Sequence, residues 1–331
     1  MQITPIAINQ LKNINNRISI NNFSTRPSMN LANDTFVKSC SFGKAQKEDE
    51  KSFEKFEQWA KETEFTTYAP EIIAKTGRIL GSGFDSKIYA IPRNNDWVIK
   101  QYNRSGMLNM QTEKPVVSKI DDISPDLNIG QFVASVRLPI NDRLSQQFFV
   151  LKRQSGSSYG VSYTYRNDVN DSTSKVHLNS LRKLSELPQE SFDKLIQDID
   201  YVTQRGYKFD CSNPGNFLID EETKSINFVN VEDRLGTMNT TQYGDVLFAL
   251  LDGEFAVEFD KSSRTQSEKD AAVRLSQQIC SKFMIAMIRK NVKFDFTNKF
   301  QDVFNSKAFE NIIGTTNNDD KIDKLIELGL C

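Results

Sequence analysis

The segment from residue 77 to residue 102 constrains the fold more than any other part of the chain. GRILGSG, SKIYAI and WVIKQY alternate apolar and polar side chains, and PRNND separates the last two. Such alternation is typical of β-strands, and proline, asparagine and aspartate accept the backbone dihedrals of turns. The pattern predicts three antiparallel strands. Two further runs of this kind, QFVASVRL and QQFFVLKR, extend the prediction to a five-stranded sheet.

The rest of the chain has mainly helical periodicity. Apolar residues recur at helical spacing over residues 174–187, 188–205 and 266–290. The polar segment SGSSYG separates the strand-rich part from the helical part and fits a hinge. Strands followed by helices predict an α+β fold with two lobes, an N-lobe at 77–154 and a C-lobe at 155–331.

The glycine turn and the lysine that follows it suggest a phosphate-binding site. The turn matches G-x-G-x-x-G with serine at the third glycine, and it lies between two strands rather than between a strand and a helix. This excludes a Rossmann site but matches the glycine loop and strand lysine of protein kinases. The residues predicted to contact the nucleotide are Gly81, Ser82, Gly83, Phe84, Ser86, Ile88 and Lys100. In kinases a helix glutamate holds this lysine, and Glu113 is the candidate, although Pro115 disfavours a helix there.

The second motif is GYKFDCSNPGNFLID, residues 206–220. Asp210 precedes Asn216 by six positions, and a predicted helix precedes both. Two short strand-like runs follow, FLI and INFVNV, with the polar turn DEETKS between them. A helix followed by an ordinary hairpin would explain the strands, but not the glycine turn and lysine placed earlier in the same order as in kinases.

With these motifs in place, residues 77–250 resemble bacterial type III secretion effector kinases of the OspG, NleH and HopBF kind. Their catalytic loop reads roughly Asp-x-Ser-Lys-x-x-Asn-Leu-Leu-x-Asp, with a longer gap from aspartate to asparagine than in ordinary protein kinases. The matching positions are Asp210, Ser212, Asn216, Leu218 and Asp220. The resemblance implies a two-lobed protein-kinase-like fold with a five-stranded antiparallel N-lobe sheet and a mainly helical C-lobe.

The resemblance also implies the roles of the site residues. Asp210, Lys100 and Glu113 would be catalytic, with Asp210 orienting the substrate hydroxyl, and the cofactors would be ATP with Mg²⁺ or Mn²⁺. Asn216 would bind the metal, together with Asn230 or Asp233 near the position of the metal-binding aspartate. Ser/Thr side chains of a host protein would be the substrate. A host activator such as ubiquitin or a ubiquitin-conjugating enzyme is a further implied partner.

Several positions depart from the ordinary kinase pattern. Lys208 and Phe209 replace the His-Arg pair before the catalytic aspartate, so regulation by phosphorylation of the activation segment is not expected. Asn213 replaces the loop lysine, and Asn230 offers a neutral amide, a weaker ligand for a hard cation than a carboxylate. These departures favour the alternative of a pseudokinase effector that binds a host protein, with or without nucleotide. A third alternative is a small-molecule phosphotransferase of the aminoglycoside-kinase type.

The activation segment is predicted to be minimal. Only RLGTMNTTQYG lies between Asp233 and Asp245. Asp245 begins an apolar run that resembles the central helix of kinases, whose aspartate braces the catalytic loop. The usual platform for peptide substrates would then be missing.

The N-terminal segment differs from the rest of the chain. Residues 1–48 are rich in Asn and Ser, contain no acidic residue before Asp34 and show no sustained period, which predicts a disordered leader. Its composition resembles the leaders of type III effectors and implies secretion by a bacterial type III system into the host cytoplasm. Residues 49–76 are predicted to be an amphipathic helix and a connection, with the helix packed on the following domain rather than on a membrane.

Charge and composition exclude several other classes of function. The chain has 42 Lys and Arg against 43 Asp and Glu, so its charge gives no reason to expect a nucleic-acid or membrane partner. Its four cysteines form no C-x-x-C pair, which argues against a zinc site or a disulfide framework. The only histidine, His177, is interpreted as a polar position on a helix. Multi-histidine metal sites are therefore excluded.

Overall fold

The computed structural model describes sixteen stretches of the chain: 36–37, 54–55, 58–63, 78–82, 86–92, 94–102, 132–141, 144–162, 165–204, 207–211, 213–229, 231–233, 242–292, 309, 311–312 and 314–330. For 36–37, 132–141, 144–147, 231–233 and 330 only the backbone is described. All of these residues belong to one compact unit, 35–331. The leader predicted for 1–48 lies outside the described residues, except for Phe36–Val37.

An antiparallel sheet of six strands forms the strand-rich part of the molecule. Its spatial order is β1 (Phe36–Val37), β5 (Phe132–Asn141), β6 (Leu144–Lys152), β4 (Asn94–Tyr102), β3 (Ser86–Ile91) and β2 (Ile79–Ser82). The predicted number of five strands was wrong, because Phe36 and Val37 pair with Val136 and Ser135 and add a short strand at the edge.

Side chains alternate between the two faces of this sheet. On one face, Val98 and Tyr102 of β4 pack with Phe149 and Leu151 of β6 in an apolar cluster. On the other face, the ring of Trp97 lies 5.5 Å from that of Trp59, which belongs to the helical residues 58–62. The contact between the two tryptophans agrees with the predicted packing of the amphipathic segment on the following domain.

Helices form most of the C-terminal half. They are α1 (Asp171–Ser185), α2 (Gln189–Gln204), α3 (Tyr243–Leu250), α4 (Gly253–Lys261), α5 (Gln266–Arg289) and α6 (Asn318–Leu330). Helix α5 packs against α1, α2 and α6 and carries the centre of the core. It begins at a capping box in which Thr265 and Glu268 each accept a hydrogen bond from the other's backbone N–H, so the first turn has its free donors satisfied. Among the described residues, no helix is long and apolar enough to cross a membrane.

Two small antiparallel sheets contain the two strands of the motif at 206–220, one strand in each sheet. In one, β9 (Phe217–Asp220) lies between β10 (Ser225–Phe228) and β7 (Ser157–Ser158). In the other, β8 (Tyr207–Phe209) pairs with β11 (Val231–Asp233). The predicted hairpin after Asn216 is present as β9 and β10. The loop from residue 210 to residue 216 therefore connects the ends of two different sheets.

The segment predicted to be a hinge, SGSSYG, contains β7, which pairs with β9. Ser157 and Ser158 pair with Ile219 and Leu218. Gly156 makes this approach possible, because its φ is +107° and a Cβ there would lie 2.8 Å from the carbonyl carbon of Ile219. The α+β class is confirmed, and the protein-kinase-like arrangement of the elements stays a prediction.

Candidate functional site

Aromatic packing fixes the strands on both sides of the loop at 210–216. The ring of Phe209, the last residue of β8, stacks on Phe228 of β10 with centroids 3.7 Å apart. Phe217, the first residue of β9, lies 4.7 Å from the same ring. All three side chains are buried. The two ends of the loop are therefore held by one cluster of the core.

The structure brings Asp210 and Asn216 into direct contact. Asn216 Nδ2 donates hydrogen bonds to Asp210 Oδ2 at 2.8 Å and to the main-chain oxygen of Asp210 at 3.1 Å. Asn216 is buried and Asp210 is half-buried. Because the amide nitrogen of Asn216 bonds to Asp210, its Oδ1 is the atom that can accept a hydrogen bond or bind a cation. The carboxylate of Asp210 is held at a fixed position in the loop.

The turn between the two residues depends on Asn213. This side chain accepts a hydrogen bond from Gly215 N at 3.0 Å and caps the 3₁₀ turn Pro214–Asn216. The resemblance to effector kinases predicts a lysine at this position, and Asn213 departs from that pattern. In this chain the position shapes the loop and supplies no cation.

A cavity of about 290 Å³ opens beside Asp210. Its walls come from β8 and the loop after it, from α3 with its flanking residue Gln242, from the start of α4, and from Arg166. The exposed carboxylate of Asp245 lines it, as does the Cys211 side chain. Arg166 is buried and forms an ion pair with Glu254 at the start of α4. The site thus combines the candidate base with a space that an acceptor group can enter.

A buried contact between Asp252 and His177 lies at the wall of this cavity. Asp252, between α3 and α4, has a φ of 51° and is buried. Its Oδ2 accepts a hydrogen bond from Val161 N at 2.9 Å and lies 3.3 Å from His177 Nδ1. The histidine ring packs 5.1 Å from Phe255 and 5.3 Å from Phe259. His177 does lie on a helix, as predicted, but it is a core residue.

Gln242 binds the backbone directly before Asp210. Phe209 N donates to Gln242 Oε1 at 2.9 Å, and Gln242 Nε2 donates to Phe209 O at 3.4 Å. The glutamine is buried at the start of α3. No local sequence signal indicates this role for Gln242, and the resemblance to kinases predicts it for Asp245 instead.

The predicted nucleotide residues lie along β2, β3 and β4. Ile88, Lys100 and Phe149 form a row across three paired strands, and Lys100 is buried with its Nζ 5.0 Å from the ring centroid of Tyr102. Gly81 pairs with Ile88. Among the described residues, no atom lies within 4 Å of the position where a Cβ of Gly81 would be.

Of the other residues predicted to contact the nucleotide, Ser82 and Ser86 are described and Gly83 and Phe84 are not. Ser82 ends β2 and Ser86 begins β3, on either side of the turn. Gly83 and Phe84, which follow Ser82 in the sequence, lie outside the described residues, as does Glu113.

The predicted metal ligands are described only in part. Asn216 is in place, whereas Asn230 lies outside the described residues and only the backbone of Asp233, in β11, is described. Within the described part of the chain, no group of three or more His, Cys, Asp or Glu side chains could hold a metal ion.

Asp220 ends β9 and ties the hairpin to the linker before it. Burial acts to raise the pKa of its carboxyl, but hydrogen bonds from the side chain of Ser155, from Thr223 and from the backbone of Glu222 lower it to about 2. The Oδ1 atom accepts from Glu222 N at 2.9 Å and from Thr223 N at 3.0 Å. Asp220 is therefore a charged anchor at the far end of the motif that contains Asp210.

Comparison with known proteins gives structural similarities but no match in sequence. No protein family matches the chain, and no curated protein matches it in sequence. Among solved structures, the streptomycin–ATP–APH(2″)-IIa ternary complex aligns with 14% identity over 70% of this chain and 91% of that chain, with a TM-score of 0.28. So low a TM-score does not establish a shared fold.

Proposed function

We propose that the protein is an ATP-dependent phosphotransferase with a protein-kinase-like fold. The observation that carries this proposal is the pair of hydrogen bonds from Asn216 to Asp210, in a loop that borders a cavity. Phosphoryl transfer depends mainly on positioning and on electrostatic stabilisation. A half-buried carboxylate fixed beside an open space is suited to accept the proton of an acceptor hydroxyl.

The sheet supplies the features expected of a nucleotide site. Lys100 is a buried lysine on the central strand β4, and its neighbours Ile88 and Phe149 give the same face an apolar surface. In the proposal, Lys100 binds phosphate oxygens while Ile88, Val98 and Leu151 contact the base. The proposal places the phosphates over the Gly81 backbone, where no atom of the described residues lies within 4 Å of the position of a Cβ.

The residues that would hold a divalent cation are Asn216, through its Oδ1, and Asn230 or Asp233. The oxygen of Asn216 fits the preference of Mg²⁺ for hard oxygen ligands. A magnesium ion, when bound, neutralises the charge on the transferred phosphoryl group. Asp210 orients the hydroxyl, and its own position depends on Asn216.

We propose further that the acceptor is a Ser or Thr side chain of a host protein. The resemblance to type III effector kinases and the composition of the N-terminal segment support this assignment. On the same basis, the protein would be secreted by a bacterial type III system and would act in the host cytoplasm, with ubiquitin or a ubiquitin-conjugating enzyme as an activator.

Transfer of radiolabelled phosphate tests the proposal. Purified full-length protein is incubated with γ-³²P-ATP, Mg²⁺ or Mn²⁺ and host lysate, with and without ubiquitin. We expect labelled proteins that disappear in Asp210→Asn and Lys100→Met. Lys87→Met is the matched control, because Lys87 is an exposed lysine on the neighbouring strand, one residue from the row that contains Lys100. Labelling that persists in both site variants would contradict the proposed site.

A second candidate is a pseudokinase that binds a host protein. The observation that favours it is Asn213, whose side chain caps the turn and leaves the loop without the expected cation. Under this alternative, ATP raises the thermal midpoint of the wild type but not of Lys100→Met, and no phosphate is transferred with either metal. Label on a small molecule in the lysate instead of on protein would support the third alternative, a small-molecule phosphotransferase.

A further inference from the structure

Gln242 lies directly before α3, but its side chain bonds to a different element. It is the N-terminal flanking residue of α3, yet its side chain makes no capping hydrogen bond to that helix. The amide group instead reaches β8 and bonds to both main-chain polar atoms of Phe209, at 2.9 Å and 3.4 Å. The contact joins residues 33 positions apart and is buried.

A primary amide offers a donor and an acceptor, as a peptide group does. Gln242 therefore pairs with Phe209 as a neighbouring strand would. The strand β8 has only three residues, and its partner in its sheet is β11, whose Val231 faces Phe209. The backbone of Phe209 is thus held by a side chain of α3, while its ring is held by Phe228.

We propose that Gln242 is a positioning residue that holds Asp210 in its working geometry. This inference rests on the proposed function, in which Asp210 orients the acceptor hydroxyl. Phe209 is joined to Asp210 by one peptide bond, so a displacement of its N–H and C=O moves the carboxylate directly. Both hydrogen bonds join neutral groups, and they hold the loop without a charged partner or a phosphate.

Two substitutions and one control test the inference. Gln242→Met keeps the length and volume of the side chain but removes both hydrogen bonds. Gln242→Glu keeps an acceptor for the N–H of Phe209. Gln189→Met is the control, because Gln189 also bonds a distant main-chain oxygen, that of Lys282 at 2.8 Å, in another part of the helical half.

Three quantities are measured for each full-length variant: kcat and KM for ATP with myelin basic protein as acceptor, and amide hydrogen exchange of the peptide that contains residues 207–211. We expect Gln242→Met to lower kcat on the order of 100-fold, because small displacements of a reacting group have effects of this size. The KM for ATP stays unchanged, since the nucleotide residues lie on the sheet. Exchange at 207–211 becomes faster. Gln242→Glu does not restore either property, because it lacks the donor to Phe209 O and adds a buried charge. Gln189→Met changes neither kcat nor the exchange.

The outcomes separate this inference from the proposed function. Equal exchange at 207–211 in the wild type and in Gln242→Met overturns the inference, whatever the activity. A loss of kcat in Gln242→Met that Gln189→Met reproduces also overturns it, because the effect is then general destabilisation. A wild type that transfers no phosphate contradicts the proposed function. In that case the exchange data still decide whether Gln242 holds the segment that carries Asp210.

Discussion

Asp220 gives a prediction of stability that does not depend on the proposed function. Its carboxylate accepts hydrogen bonds from Glu222 N and Thr223 N, and a bond from Ser155 connects it to the linker before β7. The substitution Asp220→Asn keeps the shape of the side chain and one oxygen acceptor but removes the charge. Bonds to a charged acceptor are stronger than bonds to a neutral one, so the variant should be less stable at neutral pH.

The size and sign of the effect follow from the pKa of this group. Folding lowers the pKa of Asp220 from 3.8 to about 2. At about 1.4 kcal/mol for each pKa unit, the charge contributes at most about 2.4 kcal/mol at neutral pH. Because the folded pKa is the lower one, this contribution is present above pH 3.8 and is lost as the pH falls towards 2. About half of it remains at pH 3. Since asparagine keeps part of the bonding, we expect a loss of about 1–2 kcal/mol at pH 7.

Urea unfolding of the wild type and Asp220→Asn at pH 7, 5 and 3 measures the effect. The difference in free energy of unfolding should be largest at pH 7 and 5 and should fall to about half at pH 3. Asp270→Asn makes the same chemical change at an exposed site on α5 and is the control. A difference that does not shrink between pH 5 and pH 3, or no difference at pH 7, would refute the assigned role of the charge.

Three further predictions concern the site. Asn216→Ala removes both hydrogen bonds to Asp210 and should lower kcat on the order of 100-fold, measured by phosphate transfer from γ-³²P-ATP. An unchanged kcat would contradict the assigned roles of Asp210 and Asn216. Gly160→Ala should lower the free energy of unfolding in urea by about 1–3 kcal/mol, because Gly160 has a φ of +72° and a Cβ there would lie 2.7 Å from Pro214 Cβ. An unfolding midpoint equal to that of the wild type would refute this prediction. Lys100→Met should abolish the ATP-induced rise in Tm without lowering the Tm of the free protein, and a retained ATP shift would exclude Lys100 from the nucleotide site.

The parts of the fold that the sequence predicted are those with local signals. The hairpin of β9 and β10 follows from two alternating runs around a polar turn, and α5 begins and ends within one residue of the predicted range 266–290. The contact between Asp210 and Asn216 is also local, because it spans six residues around an Asn-Pro-Gly turn. Short-range signals were enough to predict the hairpin and the helix, whereas the hydrogen bonds between Asp210 and Asn216 were not themselves predicted.

The parts that escaped prediction depend on distant contacts. Strand β1 has only two residues, too few for any period, and it exists through pairing with β5. A glutamine before a helix is ordinarily exposed, and nothing local reveals that Gln242 bonds to Phe209. His177 was placed on a helix correctly, but its burial depends on Asp252, which lies 75 positions further along the chain.

The buried polar side chains around the cavity help to decide whether this region has a functional role or only a structural one. Asn216, Gln242 and Asp252 are all less than a tenth exposed. Each bonds to main-chain atoms of a segment next to the cavity: Asp210 O, Phe209 N and O, and Val161 N. Burial of polar groups costs free energy even when they are paired, and apolar side chains of similar size are often as stabilising. The stability of the fold therefore does not require these residues. They are required if the backbone beside Asp210 must be held in a fixed conformation.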